Sequence, residues 1–218
     1  PTSGRNVYRL AVGRLGGEQQ IIGSTYDNRV CTFDANGKPL WDASVGGFVF
    51  DLAAGDLDAD GRDEIAAACA DGKVCVFSAE GKPLWQYDLR APVYQVAFAR
   101  LDGKTTVVLA GGVSRELTVL SAKGTKVRAK EFDGALRLVR AGNFEGGPQD
   151  AVMVFTVGSK KPRPVQLCRG SQLEPVPPTP GEKEGALPEG TGRHRDGLAA
   201  DLDGDGRAEW VSSEGVFS

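Results

Sequence analysis

An all-β chain of four-stranded antiparallel units, repeated around an axis, is the architecture that three features of these 218 residues predict. A short apolar-to-acidic motif recurs at near-constant spacing, anchored on Leu15, Leu57, Leu101, Phe144 and Leu202 at steps of 42, 44, 43 and 58 residues. A second anchor agrees: "VCTFDANG" (30–37), "VCVFSAEG" (74–81) and "LTVLSAKG" (117–124) align without gaps at steps of 44 and 43. The third feature is punctuation. Thirty glycines and twelve prolines break the chain into short apolar runs, several joined by Asp-Gly or Asn-Gly, the strongest short-range hairpin signal. Four strands in about 40–45 residues is the size of a propeller blade. A β-sandwich also uses short strands and frequent turns, but nothing in it calls for one loop and one "GKPLW" at a fixed period.

The second unit shows the pattern in full. "FVFDLAAG" runs into an acidic loop, "EIAAACA" follows, Asp71-Gly72 turns the chain, "KVCVFS" returns, and "EGK" (80–82) turns it again into "PLWQYDL". Residues 1–170 therefore read as four blades, at about 7–47, 48–92, 93–135 and 136–170. Residues 171–195, rich in Pro, Gly and Glu, break the period and read as a surface loop or linker, and 196–218 as a partial fifth blade. Four units and part of a fifth describe either a five-bladed ring or part of a larger propeller. The second is favoured, because six residues before the first strand are too few to supply the missing outer strands. A single blade cannot bury both of its faces, so this arrangement implies packing with further blades or self-association.

Composition removes several function classes. Twenty-six basic and 29 acidic residues give a formal net charge of −3 with no basic stripe, so nucleic acid is not an expected partner. No apolar run approaches the ~18 residues that suggest a membrane span, and the first residues carry no signal-peptide pattern. The four cysteines form no C-x-x-C motif. Cys31 and Cys75 share one place in the repeat, which favours buried thiols, and Cys69 and Cys75 could bridge their hairpin in only one register.

The chemistry concentrates in two loops, "GDLDADGRDEIAA" (55–67) and "ADLDGDGRAEWVS" (200–212), which align residue for residue. Counting from Asp56, side-chain oxygens fall at positions 1, 3 and 5 (Asp56, Asp58, Asp60), glycine at 6, a backbone carbonyl at 7 (Arg62) and Glu64 at 9. The second loop repeats this with Asp201, Asp203, Asp205, the Arg207 carbonyl and Glu209. Hard cations such as calcium take six to eight oxygens, and glycine at position 6 permits the sharp turn that points the carboxylates inward. Two structural calcium sites are expected. An EF-hand needs a bidentate Glu at position 12, where these loops have Ala67 and Ser212. The other units keep only fragments of the pattern: "RLGGEQQ", "RLDGKTT" and "NFEGGPQD".

The "D-L-D-x-D-G-R-x-E" loop between two apolar strands resembles the FG-GAP or integrin-alpha-like repeat, in which such loops bind calcium. The segments "VCTFDANGKPLW" and "VCVFSAEGKPLW" resemble the tryptophan-containing repeats of quinoprotein-like propellers. Together the resemblances cover about residues 7–157 and 196–215. Both imply a propeller. They also imply an extracytoplasmic protein, secreted, periplasmic or at the cell surface, where millimolar calcium fills such loops. The expected role is a calcium-stabilised scaffold for a protein or carbohydrate ligand. The alternative is the propeller portion of a secreted polysaccharide lyase or quinoprotein-like enzyme whose active centre lies mostly outside this chain.

No catalytic residue is expected within it. The one histidine, His194, lies in the linker, and no hydrolase, P-loop or dinucleotide fingerprint occurs. Trp41 and Trp85 recur at one place in the repeat and read as blade-to-blade packing, with Trp210 also packed.

Overall fold

The computed structural model describes residues 6–144, 146–158, 165–177, 197–200, 202–205, 207–212 and 215–217. They form antiparallel sheets and no helix, so the all-β propeller expectation holds. The first sheet comprises β1 (Val7–Leu15), β2 (Glu18–Thr25), β3 (Arg29–Phe33) and β4 (Pro39–Ser44). The second comprises β5 (Val49–Gly55), β6 (Glu64–Cys69), β7 (Lys73–Phe77) and β8 (Pro83–Asp88). The third runs through β9 (Val93–Ala99), β10 (Val107–Gly112), β11 (Glu116–Leu120) and β12 (Lys126–Glu131). The fourth consists of β13 (Ala135–Gly142), β14 (Ala151–Val157), β15 (Val165–Arg169) and β16 (Glu174–Pro175). A three-stranded sheet follows: β17 (Gly197–Ala200), β18 (Glu209–Ser212) and β19 (Gly215–Phe217).

Each sheet is an up-and-down meander whose strands pair in chain order. β16 lies inside the stretch read as linker. It is only two residues long and carries a proline, so apolar alternation could not reveal it, and the linker's remainder, 178–195 with His194, lies outside the described residues. The turns between third and fourth strands share one hydrogen-bonded form in the first three blades: Gly37, Gly81 and Gly124 each donate their N–H to the carbonyl three residues back, at 2.9 Å.

The innermost strands carry a feature the sequence does not advertise. β1, β5, β9 and β13 are each interrupted by a bulge near their start, at Tyr8, Phe50, Tyr94 and Arg137. These positions follow the blade period, at steps of 42, 44 and 43. A bulge adds one residue against the partner strand and re-aims its side chain.

Among the described residues, three slabs of apolar side chains lie between the first four sheets. Leu15, Ile22, Leu52 and Ile65 belong to the slab between blades 1 and 2; Val74, Val96 and Val108 to the next; Leu109, Val139 and Val152 to the third. Burial at one repeated position shows how blades cover each other. Leu52 and Val96 are 6% and 1% exposed beneath a preceding blade, whereas their counterpart Leu10 on the first blade is 63% exposed.

A buried carboxylate ties the inner strands together around the axis. Asp51 of β5 accepts from Arg9 Nε of β1 at 2.9 Å, from Arg140 Nη1 of β13 at 3.2 Å and from the Val96 N–H of β9 at 3.3 Å. Arg140 also donates to Gln95 Oε1 at 2.8 Å. Two guanidiniums on one carboxylate offset the cost of burying its charge.

Candidate functional site: the acidic loop of the second blade

The loop between β5 and β6 is shaped by its own carboxylates. Asp56 accepts the N–H groups of Asp60 (3.2 Å) and Gly61 (3.0 Å), and Asp58 Oδ1 also accepts from Asp60 N–H at 3.2 Å. These Asx turns wind the chain tightly enough that Ala59 and Gly61 take positive φ, 66° and 83°. Glu64 opens β6 almost fully buried and folds back to accept the Leu57 N–H at 2.9 Å.

Three of the expected ligands converge. One carboxylate oxygen each from Asp56, Asp58 and Glu64 lies within 4.8 Å of the other two. Burial pushes the Glu64 carboxyl above its usual range, the Leu57 N–H opposes that, and the charges of Asp58, Asp60 and Asp56 add to it. Asp60 is turned elsewhere. Its carboxylate takes Nε and Nη2 of Arg62 at 3.0 and 2.7 Å, while Arg62 Nη1 reaches Glu80 at 2.6 Å. That pairing, chiefly the hydrogen bonds from Arg62, holds Asp60 below the ordinary carboxylate range.

The second loop repeats the local winding. Asp205 N–H donates to Asp203 Oδ1 at 3.1 Å and Arg207 N–H to Asp205 Oδ1 at 2.8 Å, matching Asp60 to Asp58 and Arg62 to Asp60. Asp203, Asp205 and Arg207 are exposed. Asp201 lies outside the described residues, as do the side chains of Glu209 and Trp210.

One residue of the first loop has a role the spacing did not suggest. Asp63 Oδ2 accepts the Arg14 N–H at 2.6 Å, and the Asp63 N–H donates to the Arg14 carbonyl at 2.9 Å, so the loop is clamped to the end of β1. Asp150 makes the same two bonds to Arg100, at 2.6 and 3.0 Å. Both aspartates stand directly before the second strand of their blade, and that shared position was the available signal. A cleft of about 420 Å³ opens beside the first clamp, lined by Val12, Arg14 and Gln19 of blade 1 and by Asp56, Gly61 and Asp63 of blade 2.

Trp41 and Trp85 join neighbouring blades, as their recurrence implied. The Trp41 indole donates to the Ala79 carbonyl at 3.0 Å and Trp85 to that of Ala122 at 2.9 Å. All four cysteines are buried free thiols. Cys75 stands opposite Ala67, so Cys69 meets it only diagonally.

These sheets and loops define a β-propeller, and solved structures agree on the fold. A chain in the crystal structure of BBS1N in complex with ARL6DN matches at a TM-score of 0.62 and 16% identity, over 78% of this chain and 53% of that one. U3-55K matches at 0.63 and 14%, over 81% and 52%, and a chain of the Mitotic Checkpoint Complex at 0.63 and 10%, over 81% and 52%. This chain thus spans about half the length of the structures it resembles. Residues 20–134 match the lambda-carrageenase beta-propeller domain family, and the chain belongs to that family. No curated protein matches it in sequence.

Proposed function

We propose that the chain is a calcium-stabilised propeller segment of the FG-GAP type, an interaction scaffold within an extracytoplasmic protein, whose cations are structural. The convergence of Asp56, Asp58 and Glu64 carries this reading. Three carboxylates this close repel one another, and a hard cation offsets that repulsion while accepting further oxygens from the Arg62 carbonyl and from water. Asp60 leaves Arg62 to join the cage, or stays as its outer brace. The second loop, which repeats two of the first loop's hydrogen bonds, takes a second ion through Asp201, Asp203, Asp205, the Arg207 carbonyl and Glu209.

Thermal melts with calcium and with excess chelator test the reading. Calcium at ten times its Kd adds about 1.4 kcal/mol per site, about 3–6 °C for a chain of this size. Asp58→Ala removes the first loop's share and Asp203→Ala the second's. Glu64→Gln supplies the sign. A carboxyl whose pKa is raised by folding favours the folded state below its unfolded pKa, and that contribution is lost as pH rises through the folded value. Above that range the neutral amide is therefore the more stable in chelator, and the order reverses with calcium. Superimposable melts and no bound metal by elemental analysis would overturn the proposal.

The family match favours a second reading, in which the chain is the propeller portion of a polysaccharide-acting enzyme whose chemistry resides on other residues of the protein. Activity of the full-length protein on polysaccharides, with a reducing-end or unsaturated-product readout, tests it.

A further inference from the structure

The two acidic loops hold their arginines differently. In the first, Arg62 folds back on its own loop: Nε and Nη2 both reach Asp60 Oδ2, at 3.0 and 2.7 Å, and Nη1 reaches Glu80 Oε1 at 2.6 Å. Asp60 Oδ1 accepts the Arg62 N–H at 2.8 Å, so both oxygens of this carboxylate are engaged. In the second loop, Arg207 keeps the backbone half of the pattern, donating its N–H to Asp205 Oδ1 at 2.8 Å. Its guanidinium turns away and lies against Gly146 of the fourth blade, where a Cβ would stand 3.0 Å from Nε. Among the described residues, Asp205 therefore accepts only a backbone N–H.

The neighbouring blades account for the difference. Blade 1, clamped to the first loop through Arg14 and Asp63, joins its first two strands by the two-residue turn Gly16–Gly17. That turn gives a side chain nothing to rest on, since a Cβ on either glycine has nothing within 4 Å. Blade 4 has the longer loop 143–150, and the Ala208 N–H docks on its Asn143 carbonyl at 2.7 Å, which carries Arg207 across to Gly146. Glu80 is the other determinant. It is braced by the Ser78 hydroxyl at 2.9 Å, and its counterparts in the first and third blades, Asn36 and Lys123, are not anions. A cation that takes Asp60 as a ligand must break forked, charge-assisted hydrogen bonds and then share the loop with a guanidinium. A cation at Asp205 meets neither obstacle to the same degree.

We propose that Arg62 is an internal competitor for the cation of the first loop, so that two loops of one ligand pattern fill in order, the second at lower calcium than the first. The inference rests on the calcium reading above and names what sets affinity within it. Calorimetric titration of the full chain with calcium chloride tests it. Asp203→Ala leaves the first loop to be read alone, and Asp58→Ala the second. The first should bind roughly two- to fivefold more weakly, the range over which an exposed ion pair shifts an equilibrium. Added to Asp203→Ala, Arg62→Gln should remove most of that gap, and Arg62→Lys should fall between, because an ammonium does not fork. Added to Asp58→Ala, Arg207→Gln should leave the Kd essentially unchanged. Sodium chloride should narrow the gap, since exposed pairs are screened. In the otherwise unaltered chain, Arg62→Gln should merge two binding phases into one. Equal Kd values for the two loops, an Arg62→Gln variant no tighter than its parent, or an Arg207→Gln variant that tightens as much overturns the proposal and leaves calcium binding standing. No heat in any variant, with no bound metal by elemental analysis, overturns the calcium reading along with it.

Discussion

The junction between the second and third blades and that between the third and fourth join the same parts of the sheet with different side chains. At the first, Trp85 of β8 lies on the turn of the next blade, over Gly124, and donates to Ala122 at 2.9 Å. Trp41 does the same one blade earlier over Gly81. At the third-to-fourth junction the corresponding strand, β12, presents Arg128, which donates to the Gln172 side chain, and Lys130, which donates to the Leu173 carbonyl at 2.5 Å. The receiving turn is one residue longer there, since Cys168 pairs with Pro175 where Phe77 pairs with Pro83, and Leu173 takes the positive φ, 55°. The position therefore selects a flat donor long enough to reach the next blade. Indole adds apolar burial that guanidinium does not.

The largest consequence is in stability. Trp85→Ala leaves a void between blades and an unpartnered Ala122 carbonyl, at a cost of about 3 kcal/mol, or a fall of roughly 6–12 °C in melting temperature. Trp41→Ala behaves likewise. A melt of Trp85→Ala within 2 °C of the parent would mean that the indole covers the turn without holding it.

The glycines sharpen the comparison. Gly37, Gly81 and Gly124 occupy the same turn with φ of 78°, 80° and 73°. A Cβ on Gly81 or Gly124 meets the indole at 2.5 or 2.6 Å, while one on Gly37 has nothing within 4 Å. All three alanine variants incur the left-handed backbone cost of about 1–2 kcal/mol, but only Gly81→Ala and Gly124→Ala also displace a tryptophan. Chemical denaturation should rank Gly37→Ala as clearly the mildest, and equal losses at the three positions would assign the whole effect to the backbone.

Much of this fold is legible in the sequence. The four-stranded repeat followed from two anchors at one period, because each sheet must bury the same faces against its neighbours. The bulges at Tyr8, Phe50, Tyr94 and Arg137 were not legible, since one extra residue in a strand leaves the apolar pattern almost unchanged and the four side chains differ in kind. In the acidic loop, spacing placed Asp56, Asp58 and Glu64 together. It could not show that Arg62, two residues along, holds Asp60 by two hydrogen bonds, because that is a contest between side-chain partners rather than a matter of position. β16 escaped because two residues carry no period.

The inter-blade clamps set a middle scale. Asp63→Ala and Asp150→Ala each remove a carboxylate that accepts a neighbouring blade's N–H at 2.6 Å. Each should lose about 1–2 kcal/mol. Asp63→Ala should also leave calcium-dependent stabilisation in place, because Asp63 faces Arg14 rather than the cage. Loss of that dependence in Asp63→Ala would show that the clamp and the cage act as one unit.

The smallest effect is expected at the exception itself. Arg128 and Gln172 meet at an exposed site, so Arg128→Ala should change stability by no more than about 0.5 kcal/mol, as should Gln172→Ala. The informative measurement is the double variant. If the hydrogen bond is all that joins these side chains, the double loses no more than the worse single, and the shortfall from additivity equals the pair's coupling. Full additivity would mean that Arg128 contributes through its stem packed along β12, and that this junction is held by Lys130 on the Leu173 carbonyl and by the apolar slab beneath.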